Sequence, residues 1–528
     1  MTEGYQSYAS RSRLGIPLLY GTDAVHGHGN AWGAVIFPHN IGLGATQDYE
    51  LAKRIGQATV QEMLATGVNW NFSPCLAVPQ DIRWGRTYEG YAESPELVDS
   101  LGSSYLVGLQ AKLQGFLGSK GSVLATVKHF VGDGATKFGT GANGLLDQGD
   151  VELSEEEVYN VHLMPYTHAL KNEALVVMAS YSSISSKKMH GHYYFLTEVL
   201  KEKLGFKGFI VSDYDGINQL EGSYYDKVVK ALNAGIDMVM LSKDYRRFIT
   251  TVKKAYRDGA ISQARLDDAV FRILYVKFRL GLFDRNLKDE INLFAFGSEE
   301  HQTLARKAVR KSLVLLKNNS ALPIPKDAPL ILVAGPAADD LGRQCGGWTI
   351  EWQGKAGNTV PGTSILAGIK ALASNHTQVI YEREGLFPAS LWKDNGAARV
   401  GIVVVGEEPY AEGAGDSIDL ELKKEDLELI KQMRRLSHKL IVILISGRPM
   451  IISEVLPLAD AFIAAWLPGS EGQGVAELLF GVYPFTGKLP YSWPKSSKAY
   501  QLSGSPFKLR SDLVLFPAGY GLTTELVP

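Results

Sequence analysis

The chain has 528 residues, more than one ordinary domain holds, so two domains with a connection are expected. Its hydrophobic content of 45% and charged content of 21% are those of a globular protein, and a net charge of −2 supplies no basic field for nucleic acid or an anionic membrane surface. No apolar run reaches the length of a membrane span, and Cys75 and Cys345 lie far apart without metal-ligand spacing, which reads as two free buried thiols.

The opening "MTEGYQSYASRSRLGIP" has neither the basic start nor the apolar core of a signal peptide, and by itself assigns no compartment. Apolar runs at Ile16–Tyr20, Val68–Phe72, Val123–Val127, Leu175–Ala179, Phe209–Val211 and Met238–Leu241 then read as short buried strands. Helical patterns separate them, among them "DYELAKRIGQATVQEMLATG", "SEEEVYNVHLMPYTHALKN" and "LTEVLKEKLG". The second opens on Ser154 and three acidic residues, an N-cap signal. Strand and helix in alternation imply a parallel sheet, and this many units imply an α/β chain whose residues 1–285 form a (β/α)8-type barrel. Six strands are legible, so either two are cryptic or the barrel is incomplete at its start.

Periodicity fades from Asn286 to Gly297. The pattern "EEHQTLARKAVRKSLVLLKN" predicts a helix, and the proline-rich "NSALPIPKDAP" a turn, so residues 286–325 read as a linker with a connecting helix. Over 326–528 the runs "LILVAGP", "RVGIVVVGEEP", "KLIVILISGRP" and "DAFIAAWLPG" are apolar and β-branched, as in a sheet covered on both faces. An α/β sandwich domain is expected there.

Chemistry-bearing residues cluster at the predicted strand ends. In "GFKGFIVSDYDGI" the run Phe209–Val211 delivers Asp213 to the C-terminal tip of a strand, the face where barrels place catalytic groups; capping of the next helix is the plainer alternative. In "LATVKHFVGDG" Lys128 and His129 reach the same face, either to bind hydroxyls or as a snorkelling lysine and a satisfied core histidine. Asp23 in "YGTDAVHGHG", and Arg86 in "IRWGRTYEGY" beside Trp84, Tyr88 and Glu89, complete a set able to form charge-assisted bonds with a polyol. The pairs His26/His28 and His190/His192 have neither i,i+4 spacing nor a third ligand, so no metal and no cofactor are expected.

In the second domain "VVVGEEPYAEGAGDS" leaves a strand through a glycine-rich loop carrying Glu407, Glu408, Glu412 and Asp416. It is not a dinucleotide or Walker pattern, and its acids repel phosphate, which leaves a general acid or a solvated loop. Glu471 in "WLPGSEGQG" is a rival acid, or a cap for the helix that follows. Trp348 and Trp352 in "GGWTIEWQG" offer flat faces for a sugar ring, or core.

Seven segments, "LGIPLLYGTDAVHGH", "FPHNIGLGAT", "RWGRTYE", "KHFVGDG", "GFIVSDYDGI", "CGGWTIEWQG" and "AAWLPGSEGQGVAELLFG", occur in an order that resembles glycoside hydrolase family 3, most closely its two-domain β-glucan exohydrolases of plants and bacteria. The resemblance implies a retaining, exo-acting β-glucosidase or β-glucan exohydrolase. It would release glucose from non-reducing ends of β-glucosides and β-glucan oligosaccharides through a glycosyl-enzyme, at a site between the two domains. It further implies Asp213 as nucleophile, Glu412 as acid/base and Glu471 as structural. Asp23, Arg86, Lys128, His129 and Tyr181, in "VVMASYSS", would hold the terminal glucose in the −1 subsite. Tyr214 and Trp352 would form the +1 subsite. Lys128 and Arg86 are expected to keep Asp213 ionised, and a second carboxylate to keep Glu412 protonated.

Three departures stand out. Tyr214 replaces the tryptophan common after the nucleophile; "GANGLLDQGD" follows the Lys-His motif in a bacterial form; and the family's first strand would lie before Met1, which implies a truncated sequence, a separate segment or a real gap that a homo-oligomer would cover. Two other readings compete. The β-N-acetylglucosaminidases and phosphorylases of the superfamily carry "KHFPGHG" where this chain has "KHFVGDG", and a sugar-binding protein would keep the pocket without turnover.

Overall fold

The computed structural model describes residues 2–110, 121–284, 291–326, 328–388, 391, 398–500 and 509–524. The expected boundary at 285–286 lies outside them. Contacts divide the chain into two units: Met1–Val25, Ala52–Pro79 and Ser94–Leu293, and His26–Leu51, Gln80–Glu93 and Phe294–Pro528. Two stretches of the first half, including the one that carries Arg86, therefore belong to the second unit.

In the first unit four of the six apolar runs overlap strands, and these, with the residues just after the first run and a bridge at the last, form a parallel series in chain order. β1 (Gly21–Thr22) pairs with β2 (Trp70–Asn71), and β2 with β3 (Leu124–Ala125). Beyond a bridge from Cys75 to Lys128, β4 (Val127–Phe130) pairs with β5 (Val176–Ala179), β5 with β6 (Phe209–Val211), and Val211 bridges to Met238. Strands fed by helical crossovers give this barrel-type order. The first pairing falls just after the predicted Ile16–Tyr20 run, where Tyr20 O accepts the Trp70 N–H at 3.2 Å.

Trp70, Phe72, Leu124, Val176, Phe209 and Val211 pack into one core with Val276 and Leu280 of helix Gln263–Arg279 and the residue that follows it. Trp70 meets Phe72 and Phe209 edge-on, and its Nε1–H donates to Thr126 Oγ1 at 2.7 Å, so its polar end is satisfied where it is buried. Burying each such side chain stabilises the unit by about 1.5–3 kcal/mol. Behind β6, Asp237 accepts the Ile210 N–H at 2.9 Å and the Lys201 ammonium at 2.8 Å, which pins the strand that leads to Asp213. Ser154 caps its helix as predicted, in a reciprocal box with Glu157.

The second unit is the α/β sandwich. Its six strands are β7 (Val314–Asn318), β8 (Leu330–Ala334), β9 (Gln378–Tyr381), β10 (Ala398–Gly406), β11 (Ser437–Ile445) and β12 (Ala461–Trp466), in the spatial order β7-β12-β11-β10-β8-β9. All neighbours run parallel except β7, which is antiparallel to β12. The expected helix over "EEHQTLARKAVRKSLVLLKN" stops at Ser312, and β7 takes the rest. Leu313, Val314, Leu315 and Leu316 are all buried. Four consecutive buried apolar residues suit a strand covered on both faces, whereas a helix at the surface would turn some of them to water.

Strand order reverses between β8 and β10, and crevices at such a reversal lie beyond the carboxyl ends of the strands. The loop carrying Glu412 leaves β10 at that end. Cys75 and Cys345 are buried and form no disulfide. Among the described residues no helix is long and apolar enough to cross a membrane.

Candidate active site

Six of the predicted site residues lie in the first unit. Asp213 follows β6, two residues past Val211, and is buried. Its N–H donates to His190 Nε2 at 3.0 Å, and its Oδ1 accepts the Tyr214 N–H at 2.7 Å. Its Oδ2 lies 3.7 Å from His129 Nε2. His129 is oriented from its far side, where Nδ1 is 2.9 Å from Asp133 Oδ2. Lys128 shares β4 with His129; its Nζ donates to Asp23 Oδ1 at 2.9 Å. Tyr181 OH donates to the Tyr214 carbonyl at 2.5 Å. The phenol of Tyr214 is pushed above its ordinary value by burial and by the charges of Asp23 and Asp213, with Lys128 opposing, so these groups share one electrostatic neighbourhood. Half of Tyr214 remains exposed, as a platform for a ring requires.

Arg86, Glu412 and Trp352 lie in the second unit. Arg86 forms ion pairs with Glu89 at 2.9 Å and with Glu412 at 3.1 Å. Where a neighbouring carboxylate was expected beside Glu412, its ion partner is this guanidinium. Of the other acids in the loop, Glu407 is paired with Arg448 at 2.9 Å, Glu408 with Arg343, and Asp416 accepts the Gly85 N–H at 2.8 Å.

Glu412 also has a left-handed backbone, φ 57°. Such a conformation costs a non-glycine residue about 1–2 kcal/mol and persists only where the surroundings impose it. Gly85 approaches this loop so closely that a Cβ there would sit 2.1 Å from the Glu412 carbonyl, so only glycine fits.

Trp348 is buried and donates Nε1–H to Glu89 at 3.1 Å, which makes it core; Trp352 is half exposed. Glu471, the rival acid, is buried 3.4 Å from Arg306 of helix Glu299–Ser312, and burial pushes its carboxyl up to about 7 against the opposing charge of Arg306. It ties this helix to the turn before helix Gln473–Leu479.

The family model for the Glycosyl hydrolase family 3 N terminal domain matches residues 1–276, and that for the Glycosyl hydrolase family 3 C-terminal domain matches residues 313–524. The chain belongs to glycosyl hydrolase family 3. Among curated proteins it is similar to the lysosomal beta glucosidase of Dictyostelium discoideum, 30% identical over 506 residues that make up 91% of this chain and 61% of that protein. The chain thus spans less than two thirds of that relative. Among solved structures it is similar to a variant of the exo-1,3/1,4-beta-glucanase from a Pseudoalteromonas species, with 40% identity and a TM-score of 0.92 over 100% of this chain and 86% of the other. It is also similar to the beta-glucosidase from Listeria innocua in complex with glucose, at 26% identity and a TM-score of 0.86 over 98% and 73%; a variant of that protein has been solved with laminaribiose.

Two residues of this family member escape a reading of the sequence for site residues. His190 suggests at most a metal ligand, yet it accepts the backbone N–H of Asp213. Burial, aided by the charge of Lys188, lowers its imidazole to about 3, which keeps the ring neutral and able to accept. Asp133, the acid of "KHFVGDG", orients His129. Its position i+4 from His129 is the one local hint. Among the described residues, Cys75, His129 and Asp133 are the group whose ligand atoms come within 4.8 Å of one another, but His129 Nδ1 and Asp133 Oδ2 are bonded to each other. The pairs His26/His28 and His190/His192 form no such group there.

Proposed function

We propose that this chain releases glucose from the non-reducing ends of β-glucosides and β-gluco-oligosaccharides with retention, Asp213 acting as nucleophile and Glu412 as acid/base. The observation that carries the reading is Asp213: a buried carboxylate at a strand tip, with its N–H and Oδ1 tied by His190 and Tyr214 while Oδ2 faces His129. Membership of the family, and relatives named beta-glucosidase and exo-1,3/1,4-beta-glucanase, support the substrate class.

In the first step an Asp213 oxygen bonds to the anomeric carbon as the glycosidic C–O bond breaks, and Glu412 gives its proton to the leaving oxygen. In the second, Glu412 takes a proton from water, whose oxygen displaces Asp213 from the same carbon. Asp23, Arg86, Lys128, His129 and Tyr181 hold the −1 sugar through charge-assisted bonds, and Arg86 also holds Glu412. Tyr214 and Trp352 flank the +1 sugar. Asp23 can bridge two hydroxyls including that on C6, so glucose is preferred to xylose; equal rates on an aryl glucoside and an aryl xyloside overturn that preference.

Hydrolysis of laminaribiose and cellobiose, followed by NMR from the first minutes, tests the whole reading. β-Glucose appears first if it holds. α-Glucose first refutes retention, and no glucose from folded protein favours a binding protein instead.

A further inference from the structure

The loop that carries Glu412 has open space behind it. A cavity of about 350 Å³ lies against Pro409, Tyr410, Ala414 and Asp416 on the loop side and against Leu422 and Met450 across from it. A loop without packing on that flank needs another means of fixing the left-handed turn at Glu412. One side chain reaches every part of the assembly. Arg448, buried in the segment after β11, donates from Nε and Nη2 to Glu407 Oε1 at 3.0 and 2.9 Å, at the root of the loop. Its Nη2 also donates to the Gly415 carbonyl at 2.6 Å, just beyond Glu412. Its Nη1 donates to the carbonyls of Ile82 and Arg83 at 3.4 and 3.1 Å, in the segment that presents Arg86. Its guanidinium lies over the Tyr410 ring, 5.0 Å from the centroid, and Tyr410 OH donates to Glu407 Oε2 at 2.9 Å.

We infer that Arg448, with Glu407, is a positioning pair for the acid/base: it sets the loop and the Arg86 segment in mutual register, so that Glu412 meets Arg86 at 3.1 Å. Arg448 touches no substrate; it acts through Glu412, and the inference rests on the acid/base role proposed above. A lysine could hold Glu407 but not span Gly415 and Arg83 as well, because its ammonium is a point donor and not a planar fork.

The test compares Arg448→Lys with Glu412→Ala on two substrates, 2,4-dinitrophenyl β-glucoside, whose leaving group needs no proton, and cellobiose, whose leaving group does. Thermal unfolding establishes that each variant is folded. Arg448→Lys is expected to lose at least roughly 10-fold more kcat/KM on cellobiose than on the dinitrophenyl glucoside. Azide should restore its turnover and yield β-glucosyl azide, azide nitrogen bonding to the anomeric carbon as the Asp213 ester bond breaks. Glu407→Gln should show the same pattern more weakly, and stands in if Arg448→Lys does not fold. Equal losses on both substrates without azide rescue, while Glu412→Ala keeps the signature, overturn the positioning role. Absence of the signature in Glu412→Ala overturns the acid/base reading instead.

Discussion

Asp213 and Glu412 are presented by different kinds of backbone. Asp213 sits just past a three-residue strand that is wholly buried, and the groups around it are next in sequence or on loops and strands of the same unit: Tyr214, His190 and His129. Glu412 sits in a glycine-rich loop with a left-handed backbone, held by Arg86 and by the network around Arg448 and Glu407. The strand tip draws its precision from the core, whereas the loop draws it from buried charge pairs, one of which joins residues 326 apart in the chain. Lesions on the two sides should therefore differ in how they depend on the leaving group.

The largest effect is expected at Asp213, the proposed nucleophile. Asp213→Asn should lower kcat by roughly 10⁴-fold or more on activated and unactivated glucosides alike, without azide rescue. A loss confined to unactivated substrates would break the comparison by making Asp213 the acid. His190→Ala removes the acceptor of the Asp213 N–H. It should cost about 1–3 kcal/mol of stability and, through displacement of the carboxylate, roughly 10- to 100-fold in kcat on both substrate types. Full activity with an unchanged melting temperature would show that the strand alone fixes Asp213.

On the loop side, Gly85→Ala places a Cβ 2.1 Å from the Glu412 carbonyl and must shift the loop. Its loss should be about 10-fold and limited to poor leaving groups. Equal loss on a dinitrophenyl glucoside would mean that the loop also serves the nucleophilic step.

The smallest effects concern pH. Burial lowers His26, His28 and His162 to about 4, His190 to about 3, and His39 well below its ordinary value. In each case the unfolded chain binds a proton that the folded chain does not, from its ordinary value of 6.5 down to the folded value. Stability thus rises with pH through that window and is lost on acidification. Glu471, raised to about 7, acts in the opposite sense, favouring the fold below its unfolded value of 4.5 and losing that contribution as pH rises to 7. Asp426, raised by burial to about 6, acts in the same sense as Glu471, but the histidines together outweigh these two carboxyls, so melting temperature should fall steadily below about pH 6.5; a flat profile down to about pH 4 contradicts this. Glu471→Gln should gain a little stability at about pH 8 and none at about pH 4.5.

Much of the molecule is legible from residue order alone. Short apolar runs ending in polar residues locate most of the parallel barrel-type series of the first unit and place Asp213 just past a strand tip, because burial on both faces demands continuous apolar sequence, while Lys128 and His129, expected just after a strand, lie within β4. The same pattern fails at Val314–Asn318, where a helix with a buried face runs straight into an edge strand and the change of period has no marker. What local sequence cannot supply are partners chosen by tertiary contact. Arg86 is expected from its sequence to read sugar hydroxyls, and nothing local announces its ion pairs with Glu89 and with Glu412, 326 residues away. Arg448 lies in an unremarkable turn, and His190 stays neutral well into the acid range because its surroundings bury it beside Lys188. Residue types and strand ends follow from local hydrophobic pattern; which charges meet, and in what protonation state, depends on desolvation and distance, and those exist only once the chain has folded.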